Sequence, residues 1–166
     1  MKKMENLAEI LNHRGKSYLL KDLLPTVKLN KTEERIVEAR YTSFSFCQLD
    51  ESDLKISVDQ IMLRVAGICG CALPNTEFFA RFIAEEIATF ILDFGYEELT
   101  LEEILLAFRL NAMGGYRYAN GESADQIVFF GNCVNVDYIA KVLSNYMSFR
   151  KILDRKIQNK LDGYEL

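Results

Sequence analysis

Apolar residues return at every third and fourth position along most of this chain, and no long alternation of apolar and polar residues interrupts them. That periodicity restricts the fold to helices packed on helices, with room for a short β-hairpin. A chain of 166 residues supports one core of ordinary size. The expected architecture is therefore an all-α, compact, multi-helix single domain over residues 1–166. With 49% hydrophobic and 27% charged residues, the chain has the make-up of a globular protein and not of a disordered tail.

Punctuation between the periodic runs sets the elements. A first amphipathic helix is expected over residues 5–13, closed by Gly15, and then a short apolar turn over 18–24 stopped by Pro25. Thr32 offers a cap for a helix over 33–40, and residues 42–47 alternate in a way that suits extended chain. Ser57 and Gln60 form a capping-box pair at the head of a helix over 58–68. The most apolar run, 76–94, carries Phe78, Phe79, Phe82, Ile83, Ile87, Phe90, Ile91 and Phe94, and is expected to form the centre of the core. Its other side repeats Glu77, Arg81, Glu85 and Thr89 in steps of four, a solvated face with one favourable ion pair. Thr100 and Glu103 make a second capping box that starts a helix over 101–112. Glycine and asparagine concentrate in a loop over 113–121, and residues 126–130 suit either a short strand or a helical turn. Asn135 caps a long last helix over 136–161, with Ile139, Leu143, Tyr146, Leu153 and Ile157 on one stripe.

Many chemistries lose a member here. A single histidine, His13, excludes zinc sites that need two, and no second histidine can act as a general base. Cys69-Gly-Cys71 has one residue between its thiols, which fits neither the zinc knuckle nor the Cys-x-x-Cys redox motif. Buried small residues are the simpler reading, and four cysteines in apolar surroundings suit a reduced, cytoplasmic setting. Asp93-Phe94-Gly95 matches the kinase metal-binding string, without the histidine-arginine-aspartate loop that must accompany it. Gly15-Lys16-Ser17 resembles the end of a P-loop, yet the required earlier glycine falls at Ile10. Adjacent acids at 85–86, 97–98 and 102–103 point to different helix faces, which suits surface charge or an acidic docking face for a basic partner. Met1-Lys2-Lys3 is followed by Glu5 and Glu9, unlike a secretory signal, and the charge-free run over 65–76 is too short to span a membrane. The reading is non-enzymatic, with no catalytic residue, metal or cofactor assigned and no membrane expected.

Charge divides the chain. Residues 1–40 hold 9 basic and 6 acidic side chains, residues 41–136 hold 5 and 14, and residues 137–166 hold 6 and 4, giving nets of +3, −9 and +2. Cations concentrate in the last helix at Arg150, Lys151, Arg155, Lys156 and Lys160, against the one acid Asp154. Helical geometry places Lys141, Lys151, Arg155 and Lys156 in a sector about 140° wide opposite the apolar stripe, where they could follow a phosphate backbone. Arg150 and Lys160 fall within the stripe and would have to snorkel outward. Arg117, between Tyr116 and Tyr118, adds a loop where rings and a guanidinium could stack on bases. The plain alternative is a solvated helix end whose cations complement the negative pole of its dipole.

From Leu99 onward a further pattern appears: Leu-Thr-x-Glu-Glu-Ile-x-x-Ala-Phe over 99–108, the glycines Gly114-Gly115, and the pair Phe130-Gly131. A helix follows with Asn135, Ile139, Val142, Leu143, Tyr146 and Arg150 in register. This last third of the chain resembles a group of small uncharacterised helical proteins of Bacteroidetes phages and mobile elements, from which it departs by a long insertion between Gly115 and Phe130. The resemblance implies a replication-associated or DNA-linked role. Together with the charge map it gives the expectation of a helicase-loader-like accessory adaptor that binds a protein partner and touches DNA with its basic last helix. The rival is a pure protein-interaction module, such as a counter-defence inhibitor or virion component, with self-association left open.

Overall fold

The computed structural model describes residues 28–41, 43–114, 116–117 and 123–162. His13, the expected helix over 5–13 and the turn over 18–24 lie outside them. Five α-helices carry the described chain, as the periodicity predicts: α1 (Lys31–Tyr41), α2 (Glu51–Cys69), α3 (Glu77–Asp93), α4 (Leu101–Ala112) and α5 (Val136–Asp162). The only paired strands among the described residues are a two-residue antiparallel couple, Tyr116–Arg117 with Ser123–Ala124.

Helix starts follow local polar side chains, and two differ from expectation. Asn30, not Thr32, caps α1: its Oδ1 accepts from Glu33 N–H at 2.9 Å while Glu33 Oε2 accepts from Asn30 N–H at 2.9 Å. α2 begins at Glu51, ahead of the Ser57–Gln60 pair, because Asp50 accepts from Asp53 N–H at 2.8 Å. Two acids in that first turn suit the positive helix pole, and Ser57 is simply buried inside the helix. Gly70, at φ +65°, ends α2 in the left-handed conformation that residues with a Cβ rarely adopt. Thr76 caps α3, Thr100 and Glu103 form the expected box at α4, and Asn135 Oδ1 accepts from Tyr138 N–H at 2.9 Å to start α5.

Of the expected extended run over 42–47, Ser45 forms a bridge with Thr100, and Phe46–Gln48 turn into a 3-10 helix. A second bridge, Ala72 with Cys133, ties the α2–α3 connection to the chain entering α5. Residues 126–130 form neither strand nor helix. Asn111 holds them instead: its Nδ2 donates to the Ile127 carbonyl at 2.9 Å and its Oδ1 accepts from Ile127 N–H at 2.8 Å.

The centre of the core is α4, not α3. α4 packs against α1, α2 and α5, and nearly its whole circumference is buried, from Glu103 through Phe108 and again at Leu110 and Asn111. α3 buries only Ile83, Ile87 and Ile91, a stripe one residue wide at four-residue steps. The stripe expected on α5 is buried throughout: Ile139, Leu143, Tyr146, Leu153 and Ile157. No described helix is long and apolar enough to cross a membrane.

Candidate functional site

Folding sorts the cations of α5 into two sets. Arg150 Nε lies 2.9 Å from Glu103 Oε1 in a largely buried contact, and because its N–H is not aimed at that oxygen the attraction is Coulombic. It therefore does not snorkel outward. Lys156 stands at the edge of the basic sector, beside α1, and donates to both oxygens of buried Glu33, at 2.8 and 3.0 Å. Lys141 pairs with Asp137 one turn back at 2.7 Å, an exposed contact that holds it only weakly. Lys151, Arg155 and Lys160 are exposed and make no ion pair with the described residues. Arg117 stands in the first strand of the short couple, and its side chain is outside the described set.

The contacts that withdraw Arg150 belong to a buried polar cluster joining α1, α4 and α5. Glu103 is fully buried and one of its oxygens, Oε1, accepts from Arg40 Nε at 3.3 Å and Tyr146 Oη at 3.0 Å. Its Oε2 accepts from Thr100 N–H at 3.1 Å, so the capping acid of α4 is also the counter-ion of two arginines. Arg40 reaches on to Asp154 at 2.6 Å. Burial opposes the Arg40 charge, yet Asp154 and Glu103 more than offset it and hold the guanidinium above its ordinary basicity. Burial first, then the negative Glu103, raises the Tyr146 hydroxyl well above the usual tyrosine range. Two arginines and two carboxylates sum to zero charge; Glu103, Arg40 and Arg150 are withdrawn from solvent, while Asp154 stands at the edge with its side chain 47% exposed. The cluster ties α1, α4 and α5 together.

A second polar group surrounds Tyr138. Its hydroxyl accepts from Asn111 Nδ2 at 3.1 Å and engages the Cys69 thiol. Burial, then the contact with Cys69, pushes the Tyr138 hydroxyl up to about 12. Burial also raises Cys69 and Cys71, the latter further through Cys69 and Cys133, which favours the thiol over the thiolate at these two half-buried positions. No group of three or more metal-ligating side chains is present among the described residues. Tyrosine ionisation is easier in the unfolded chain than in the folded one, so stability is intact below about pH 10 and falls as pH rises toward about 12. Melting temperatures taken across that window should be flat at its lower edge and decline through it, and a flat profile to pH 12 would contradict the burial of Tyr138 and Tyr146.

The other distinctive surface was missed by the reading of the sequence. Phe78, Phe79 and Phe82 are 83%, 41% and 49% exposed at the start of α3, and Phe94 is exposed at its end. Ile56 and Leu63, seven residues apart on α2, are exposed too. The signal was present in the spacing: the eight apolar residues of α3 span an arc of about 220°, twice what one buried stripe needs. Separately, α2 and α3 enclose a groove of about 420 Å³. Its walls are Leu54, Val58 and Met62 on α2, and Ala80, Ala84 and Ala88 on α3. The charged face expected to be solvated is its rim, where Arg81 and Glu77 form the anticipated pair at 3.8 Å. No family model, curated protein or solved structure matches the chain.

Proposed function

We propose that the protein is a non-enzymatic adaptor that binds another protein through the exposed apolar surface of α2 and α3. The observation that carries this reading is the exposure of Phe78, Phe79 and Phe82 on a helix that buries only three isoleucines. A large ring left in water forgoes roughly 1.5–3 kcal/mol of burial, and contiguous exposed apolar area on a globular protein marks a contact surface. The partner class is the one that the resemblance of residues 99–150 implies, the replication machinery of a phage or mobile element. A virion or counter-defence partner fits the same surface.

DNA contact is the second reading, favoured by the exposure of Lys151, Arg155 and Lys160 without ion pairs among the described residues. Three phosphate contacts give a salt slope of about −2.7 and roughly a 40-fold loss between 50 and 200 mM salt, against the thousand-fold or greater loss of a full interface. DNA would then assist an adaptor and not be its main ligand. Nuclease-treated lysate of the source cells, passed over the wild type and over the Phe78→Ser/Phe82→Ser variant, tests the reading. One stoichiometric protein retained by the wild type and lost from the variant is the expected result. Retention indifferent to both substitutions, or retention that requires DNA and vanishes in Lys151→Glu/Arg155→Glu, overturns it.

A further inference from the structure

We infer that the groove between α2 and α3 receives an amphipathic helix with basic flanks from the partner protein; this rests on the adaptor reading and names the partner's chemistry. The floor is apolar and its α3 wall is made of alanines in steps of four, Ala80, Ala84 and Ala88, which lets a third helix backbone approach closely. From Glu77 to Ala88 the wall runs about 16 Å, the length of three helical turns. A helix laid there would seat side chains at i, i+3 or i+4, and i+7 between Met62, Val58 and Leu54.

The rim sets the charge of the occupant. Glu51, Asp59, Glu77 and Glu85 line it against Lys55 and Arg81, and Arg81 is already paired with Glu77. Glu51, Asp59 and Glu85 are exposed and have no partner among the described residues, so the rim presents an acidic field to whatever enters. Lysine or arginine flanking an apolar stripe complements that field, and acidic flanks are repelled by it. A small-molecule pocket would instead converge a few polar groups on its floor. Here the floor has none, and all the charge is at the edge.

Two synthetic peptides of twelve residues test the inference, both with leucine at i, i+4, i+7 and i+11, one with lysine and one with glutamate flanks. Fluorescence anisotropy with the full chain should give measurable binding of the lysine peptide and at least tenfold weaker binding of the glutamate peptide. Asp59→Lys/Glu85→Lys, two exposed substitutions that leave the core untouched, should reverse this preference. Ala84→Glu, which fills the groove, should abolish both. Equal binding of the two peptides, or binding unchanged by Ala84→Glu, overturns the inference. A concentration-dependent dimer that Ala84→Glu dissociates, with no peptide bound, also overturns it and makes a second copy the occupant. If the groove variants leave partner capture intact while Phe78→Ser/Phe82→Ser removes it, the adaptor stands and the groove fails. If peptide binding follows the groove variants and capture ignores the phenylalanines, the reverse holds.

Discussion

Glu103→Ala is expected to cost about 3–5 kcal/mol of folding stability. Glu103 is fully buried, caps α4 through Thr100, and is the shared counter-ion of Arg40 and Arg150. Its removal leaves two guanidiniums in a poorly solvated site, with the half-exposed Asp154 beside Arg40. Breaking one partner of a buried pair is far more costly than replacing the whole group, because the loss is dominated by the charge left behind. Urea denaturation of Glu103→Ala should therefore show a lowered midpoint and a loss of about 3–5 kcal/mol, a large part of the roughly 5–15 kcal/mol of an ordinary domain. Removing an arginine as well should recover part of the loss: Glu103→Gln/Arg150→Met should be more stable than the sum of its single variants. A cost below about 1 kcal/mol for Glu103→Ala would mean that the cluster is open to water.

The second large effect contrasts two phenylalanines that look alike in the sequence. Phe108→Ala should lose about 3–5 kcal/mol, since Phe108 is fully buried at the centre of α4 and stacks on Tyr138 with ring centroids 5.9 Å apart. Phe78→Ala should stay within about 0.5 kcal/mol of the wild type, because its ring is mostly in solvent already. Thermal melts of the two variants decide between α4 and α3 as the core helix. Comparable losses at both positions would place α3 in the core after all.

Most of the helices were legible because each announces itself locally. A capping side chain sits at the head of α3, α4 and α5, and apolar residues recur along each. The starts of α1 and α2 were misplaced because the side chains that cap them, Asn30 and Asp50, stand outside the apolar runs from which Thr32 and Ser57 were read. The core was misassigned because hydrophobicity measures what a helix is able to bury. How much it does bury depends on its neighbours, and α4 has three helices around it.

The basic surface shows the same division. Composition identified Arg150, Lys151, Arg155, Lys156 and Lys160 as a cluster, helical geometry added Lys141, and α5 does carry them all. What withdraws Arg150 and Lys156 is Glu103, 47 residues earlier, and Glu33, 123 residues earlier. No periodicity within one helix encodes a partner at that distance.

The chain's own order thus determined the elements: helices where apolar residues recur at helical spacing, and breaks where glycine, proline or a cap intervenes, because these depend on residues within one or two turns. Tertiary packing alone decided which apolar face is covered, which cations are neutralised and where a groove opens. Burial and ion pairing belong to the meeting of two surfaces, and a single segment holds only one of them.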